Sequence, residues 1–235
     1  MVLSIVHDAI GALLRAPLTA FVSVLAVFGV ARVSGSLAWP FAGAVVFAAL
    51  VITACVLVLR MERLSWSGGL GTAPKLAVSM VLTLLILAFL GLLAVFGSSL
   101  ASLAIMAGAG FDFSAEDQAA AMEAFQSTPG WQLCMVVFGL AGLVFLFAIV
   151  RSLPVIAASV RDNRIVAMEA FGWTRGRLRE LVPASLVIFA APAGIAIWSM
   201  MTGKGFVFAT SIGVMWPLWC AISSTARTRF GTGAS

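Results

Sequence analysis

About six stretches of the chain are almost free of charge and long enough to cross a bilayer, and they constrain the fold more than any other feature. A transmembrane helix needs about 20 mainly apolar residues. Of the 235 residues, 62% are hydrophobic and only 10% are charged, whereas soluble domains carry about 25% charged residues. Since lipid cannot hydrogen-bond to backbone groups, such segments form helices. The sequence predicts an all-α, polytopic transmembrane helical bundle with spans at about 17–33, 41–60, 76–107, 131–151, 181–201 and 206–225.

The remaining connections leave no room for a second globular domain, so residues 1–235 are interpreted as a single transmembrane domain. Residues 1–15 place their polar side chains on one helical stripe, which is typical of a helix lying in the membrane interface, or of a first turn leading into the first span. A cleaved signal peptide is disfavoured because this stretch contains an acid and the next apolar segment follows closely. The stripe consists of Ser4, Asp8, Gly11 and Arg15.

The distribution of basic residues predicts the topology. With six spans, only Arg32 and Lys204 fall on one side, and the other twelve basic residues fall on the opposite side. The positive-inside rule places those twelve and both termini in the cytoplasm. The acidic loop 108–130, which contains no Lys or Arg, then lies outside, and Ser114 with Asp117 predicts a capping box that opens a short helix ending near Gln126. The expected location is the bacterial inner (plasma) membrane.

No pattern of catalytic or ligating residues is present. The only histidine is His7, and the three cysteines (Cys55, Cys134 and Cys220) lie in separate apolar runs, whereas zinc sites and disulfide frameworks use clustered residues. Phosphate-binding and nucleophile motifs are missing. We therefore expect no enzyme activity, no catalytic residue, no metal and no cofactor. Because the net charge of +5 comes from residues at the ends of spans, nucleic acid is not an expected partner.

Residues 152–180, here called the basic elbow, are the most informative segment. Asp162 or Asn163 can cap a helix, and Gly172 can end it in the left-handed conformation. Thr174 can then cap the helix that enters the fifth span. The apolar side of the elbow helix is predicted to consist of Ile165, Val166, Met168 and Phe171.

The charges of the basic elbow indicate a contact surface. Arginines near an anionic leaflet contribute about 1 kcal/mol each, and a tryptophan suits the interface. The alternative interpretation is a topology signal that contacts no specific lipid or partner. The candidate residues for lipid or partner contact are Arg161, Arg164, Trp173, Arg175, Arg177 and Arg179.

The segment Ala167–Arg177, with Gly172-Trp173-Thr174-Arg175-Gly176-Arg177 at its centre, resembles a group of six-helix bacterial membrane proteins. The group includes the membrane domain fused to some glycerophosphoryl diester phosphodiesterases, and stand-alone relatives of unknown function. The resemblance implies the six-span layout over most of the chain. It does not imply phosphodiesterase activity, because the catalytic domain of those enzymes is absent.

The same segment also resembles the cytoplasmic coupling loop of ABC transporter permeases. In the importers, a glycine follows the loop's glutamate by six residues, but here Gly172 follows Glu169 by three. The leading hypothesis is a non-catalytic membrane scaffold or accessory protein that contacts membrane lipids, anionic ones included, or a protein partner in a membrane complex. The alternative is a transporter permease component.

Overall fold

The computed structural model describes residues 1–34, 39–64, 70–114, 117–203 and 205–230, and all regular structure within these ranges is helical. The all-α class is therefore confirmed. A 3₁₀ turn at Leu70–Thr72 precedes the fourth α-helix. The α-helices are α1 (Val2–Leu14), α2 (Pro17–Ser34), α3 (Trp39–Met61), α4 (Ala73–Gly108), α5 (Gln118–Gln126), α6 (Pro129–Ser152), α7 (Val155–Arg161), α8 (Met168–Trp173), α9 (Leu178–Met201) and α10 (Gly205–Phe230).

Four helical segments among the described residues are long and apolar enough to cross a membrane, and they identify a multi-pass membrane protein. The pair α1 and α2, bent by 81° at the break between them, supplies a fifth if it is counted as one span. The predicted sixth span, 206–225, falls within α10, where the side chains of 205–209 and 212 lie outside the described residues. The four segments are Phe41–Met61, Ala73–Gly108, Pro129–Arg161 and Leu178–Ser199.

The chain divides into two compact units, and the first comprises Met1–Thr83 and Val150–Ser235. Helix α10 is central to this unit, because it packs against α1, α2, α3, α7 and α9. Small side chains at the contacts let the helices approach closely, as in other membrane bundles. Alanines that are fully or almost fully buried include Ala54, Ala157, Ala184 and Ala221, and the largest buried side chains include Ile5, Leu57, Leu76, Leu181 and Ile222.

Helix α7 lies in a region that the sequence assigns to a loop. Every residue from Val155 to Val160 is buried, and α7 packs against both α3 and α10. The backbone N–H of Ala157 donates a hydrogen bond to Ser223 Oγ at 3.0 Å. Leu153 and Pro154 separate α7 from α6, and α7 belongs to the first unit.

The second unit, Leu84–Ile149, contains the later part of α4, helix α5 and most of α6. Helix α4 has 36 residues, which corresponds to about 54 Å, well above the roughly 30 Å of the hydrocarbon core. It is continuous through Gly91 and Gly97. A Cβ at Gly91 would lie 3.3 Å from the ring of Phe145, so this glycine serves helix packing. Most apolar side chains of the unit are exposed, as expected for a surface that lipid covers.

The acidic loop contains the predicted short helix, but Ser114 and Asp117 do not form the predicted capping box. Asp117 is the N-cap of α5, and its carboxylate accepts hydrogen bonds from Ala119 N and Ala120 N, both at 3.0 Å. Ser114 instead donates through Oγ and N to Asp112 Oδ1, at 2.7 and 2.9 Å. These hydrogen bonds, led by that of the hydroxyl, lower the pKa of Asp112. Helix α5 ends at Gln126, as predicted.

Gly130 gives a stability prediction for the second unit. A Cβ at this position would lie 2.9 Å from Phe125 Cε2 and 3.0 Å from Ala109 Cβ. We expect Gly130→Ala to destabilise the protein by about 2 kcal/mol, because the packed neighbours must move. Gly142→Ala, on the same helix but with nothing within 4 Å, is the control and is expected to be neutral or stabilising. Thermal unfolding in neutral detergent measures both variants, and equal effects would contradict the packing argument.

Candidate functional site at the basic elbow

The backbone of the basic elbow differs from the prediction in where its helix ends. Asn163 adopts a positive φ of 48° just after α7, and Gly176 a positive φ of 81° just before α9. Gly172, predicted to be the left-handed residue, lies inside α8. Thr174 follows α8 as its C-cap, and does not cap α9. The elbow thus contains two short helices, α7 and α8, with one left-handed residue after α7 and another before α9.

A small hydrophobic core lies under the elbow. Val155 and Ala158 of α7 pack with Val166 and Ala170, and Trp173 packs against this cluster. Val166 is buried, as predicted for the apolar side, but Ile165 and Met168 are exposed. The helical phase assumed from Ile165 onward is wrong because α8 begins only at Met168.

Three hydrogen-bonded ties hold the elbow to neighbouring helices. Lys75 Nζ donates to Asn163 O at 2.8 Å and to Asn163 Oδ1 at 3.0 Å. The N–H of Val166 donates to Ser79 Oγ at 2.9 Å, and Arg151 Nη2 donates to Phe171 O at 2.9 Å. Backbone groups of the turn are therefore paired, which keeps the elbow in one conformation.

Arg227, near the end of α10, forms an ion pair that is less exposed than the Arg164–Glu169 and Arg177–Glu180 pairs of the elbow. Its Nη2 lies 2.9 and 3.1 Å from the two carboxylate oxygens of Asp162. Its guanidinium carbon lies 4.7 Å from the ring centre of Trp173, which is a cation–π geometry. This arrangement of Asp162, Arg227 and Trp173, called the Arg227 latch below, joins α7, α8 and α10. Sequence reasoning missed it because Arg227 was interpreted only as a topology signal.

Glu62 is a second residue that the sequence did not single out. It follows the last residue of α3 and accepts a hydrogen bond from Ser224 Oγ at 2.7 Å. Arg161 Nη1 lies 3.8 Å away, and the side chain of Glu62 is only 8% exposed. Burial raises the pKa of Glu62 above its ordinary value, and the hydrogen bond from Ser224 and the charges of Arg161 and Arg227 oppose that rise.

The six candidate contact residues divide into two groups. Arg164 pairs with Glu169 at 2.8 Å, and Arg177 lies 3.6 Å from Glu180, while Arg161 and Trp173 make the contacts given above. Arg175 and Arg179 are exposed, and their side chains form no hydrogen bond or ion pair with any other described residue. Among the six predicted contact residues, only Arg175 and Arg179 have guanidinium groups without an acidic or hydrogen-bonding partner in the described part of the chain.

Metal-binding geometry is not seen among the residues with described positions, where no three His, Cys, Asp or Glu side chains cluster. Comparison of the chain with protein-family models, with curated proteins and with solved structures finds no match.

Proposed function

We propose that the chain is a non-catalytic scaffold or accessory protein of the bacterial inner membrane, whose basic elbow holds anionic lipid headgroups. The proposal includes six spans with both termini in the cytoplasm, because this topology puts twelve of fourteen basic residues on one side. The observation that carries it is the pair of exposed guanidiniums, Arg175 and Arg179, on an elbow that the Arg227 latch fixes in place.

The composition of the elbow surface supports lipid as its partner. Met168, 69% exposed, and Ile165 offer apolar contact beside the charged groups. Interfacial segments combine these two features, because acyl chains cover the apolar side chains while headgroups pair with the cations. Arg177 adds to this surface, with its guanidinium carbon 5.7 Å from the ring centre of Phe230.

Replacing Arg175 and Arg179 with a neutral residue tests the proposal. We expect Arg175→Gln/Arg179→Gln to lose about 2 kcal/mol of interaction with anionic lipid, or about thirtyfold in relative affinity. The full-length protein is placed in nanodiscs of mixed phosphatidylglycerol and phosphatidylcholine, and the lipids retained per protein are counted by native mass spectrometry. The enrichment of phosphatidylglycerol should also weaken with added salt.

The two single variants Arg175→Gln and Arg179→Gln are measured beside the double variant, and Arg164→Gln is the matched control for each of them. It removes the same formal charge from the same elbow, but from a guanidinium that Glu169 already neutralises. Its enrichment of phosphatidylglycerol should stay close to that of the unmodified protein. If all three variants retain phosphatidylglycerol equally, the elbow is not the lipid contact.

A permease component is the second candidate, and the short exposed helix α8 favours it. Coupling loops present such a helix to a cytoplasmic ATPase, and the resemblance around Glu169 and Gly172 points the same way. Met168→Asp would then abolish co-purification of an ATPase from native membranes, whereas Arg175→Gln/Arg179→Gln would leave phosphatidylglycerol enrichment unchanged. Under the lipid-contact proposal, Met168→Asp leaves co-purification unchanged, and Arg175→Gln/Arg179→Gln lowers the enrichment of phosphatidylglycerol.

A further inference from the structure

A polar cavity of about 360 Å³ lies in the first unit, lined by residues of α1, α7 and α10 and by the end of α3. Its size falls in the range of small-molecule sites. Two arginines, two acids and three hydroxyls line it. The charged residues are Asp8, Arg15, Glu62 and Arg161.

The two acids of the cavity already have partners. Arg229 Nε donates to Asp8 Oδ2 at 2.9 Å, and its Nη2 contacts the same oxygen. Glu62 accepts from Ser224, and its burial favours the neutral form. Both acids are therefore engaged by side chains of α10.

The two arginines, in contrast, retain free donors. Arg15 is exposed, and its side chain forms no hydrogen bond or ion pair with any described residue. Arg161 is 41% exposed and has Glu62 at 3.8 Å as its only ion-pair partner among described residues. A guanidinium presents five N–H donors in a planar fork that matches the oxygens of a phosphate.

The hydroxyls of the cavity wall do not compete for this role. Thr225 and Thr228 donate to backbone oxygens of Ala221 and Ser224, at 3.0 and 3.1 Å. The hydrogen-bond donors of the cavity that remain available to a ligand are thus mainly those of Arg15 and Arg161.

We propose that this cavity binds a phosphate group, from a lipid headgroup or from a soluble phosphate ester, between Arg15 and Arg161. Arg15 lies at the 81° bend between α1 and α2. If α1 follows the interface, as its sequence predicts, this bend lies at headgroup depth, where both sources have access. The site does not include Arg175 or Arg179.

Inorganic phosphate is the first probe, added to the delipidated full chain in neutral detergent. We expect a rise in Tm with phosphate that chloride at equal ionic strength does not reproduce. Arg15→Gln and Arg161→Gln should each weaken the apparent affinity by about tenfold or more, because each removes a charge-assisted hydrogen bond. Arg32→Gln removes an exposed arginine that belongs neither to the cavity nor to the basic elbow; it is the control and should leave the affinity unchanged. The absence of a phosphate-specific rise in Tm for the unmodified protein, together with no phosphatidylglycerol binding in the second arm, overturns the proposal.

Short-chain phosphatidylglycerol is the second probe and identifies the source. A lipid source predicts one tightly held phosphatidylglycerol per chain that phosphate displaces weakly and that Arg15→Gln loses. A soluble source predicts binding of phosphate and glycerol phosphate with no saturable phosphatidylglycerol site. Phosphatidylglycerol binding that survives Arg15→Gln and Arg161→Gln, but is lost in Arg175→Gln/Arg179→Gln, would place the site at the elbow and reject the cavity.

The pH dependence gives a readout that a merely structural role of Arg15 would not produce. As pH rises through the raised pKa of Glu62, its carboxylate gains charge and repels the bound phosphate. Phosphatidylglycerol keeps a constant charge over this range, so the fall in affinity must come from the protein. Glu62→Gln should bind about fivefold more tightly at high pH and lose the pH dependence, whereas His7→Gln should keep it; the reverse pattern contradicts the assignment. The other charged groups near Glu62 are Asp8, Arg15, Arg161, Asp162 and Arg227.

Discussion

Arg227→Met should destabilise the folded protein by about 3 kcal/mol, because it leaves the Asp162 carboxylate without its closest partner in a mostly buried position. The side chains of Arg227 and Asp162 are 12% and 18% exposed. Methionine preserves the length of the apolar stem, so the loss reports on the charge and on its contact with Trp173. Thermal and denaturant unfolding in neutral detergent measure the effect.

Arg164→Met is the matched control for Arg227→Met. Arg164 also approaches Asp162, with Nε at 3.8 Å, but its side chain is half exposed. Exposed ion pairs contribute between about 0 and 1 kcal/mol, so this variant should be close to neutral. In Asp162→Asn/Arg227→Met the cost should be smaller than the sum of the single variants, since the unpaired charge is gone. Additive costs would mean that the Arg227 latch is not a coupled unit.

The helices were predictable from the sequence because an apolar run of this length in lipid must satisfy its own backbone hydrogen bonds, and a helix does so. The predicted 17–33, 41–60 and 131–151 agree with α2, α3 and α6 to within a few residues. Lipid removes the competition between helix and other backbone conformations. Hydropathy therefore fixes where these helices lie without knowledge of their neighbours.

The basic elbow was less predictable because its structure depends on contacts between distant residues. Ser79 accepts from Val166 N across 87 positions, and Arg227 binds Asp162 across 65. Local capping rules assigned Asp162 or Asn163 to a helix start, but Asp162 is the C-cap of α7 and its carboxylate pairs with Arg227. The sequence does show Arg227 as one of two basic residues in the last turn of α10. It does not show that Asp162 is the partner of Arg227.

The candidate site was found only in part for the same reason. The number of arginines in the elbow was evident, but their availability depends on which acids lie beside them. Glu169 neutralises Arg164, whereas the guanidinium groups of Arg175 and Arg179 have no partner within the described residues. The cavity between Arg15 and Arg161 brings together positions that are 146 apart in the sequence, and no local motif marks such a pair.

Leu92→Arg is expected to disfavour membrane insertion of α4 by about 3 kcal/mol. Leu92 is 70% exposed and lies in the uncharged run 84–96 near the middle of α4. An exposed leucine of a water-soluble protein tolerates arginine at little cost, because the charge is hydrated. On a helix face that lipid covers, the same charge must lose its hydration or distort the bilayer. The size of the effect therefore reports which solvent surrounds the helix.

Met168→Arg is the matched control for this variant, because Met168 is 69% exposed but belongs to the elbow outside the candidate spans. Its substitution should change insertion and Tm very little, since headgroups and water solvate the new charge. Insertion is measured with glycosylation acceptor sites placed on both sides of α4, and Tm is measured in nanodiscs. If Leu92→Arg is tolerated as well as Met168→Arg in both assays, the exposed faces of α4 are hydrated, and the transmembrane placement of this helix is wrong.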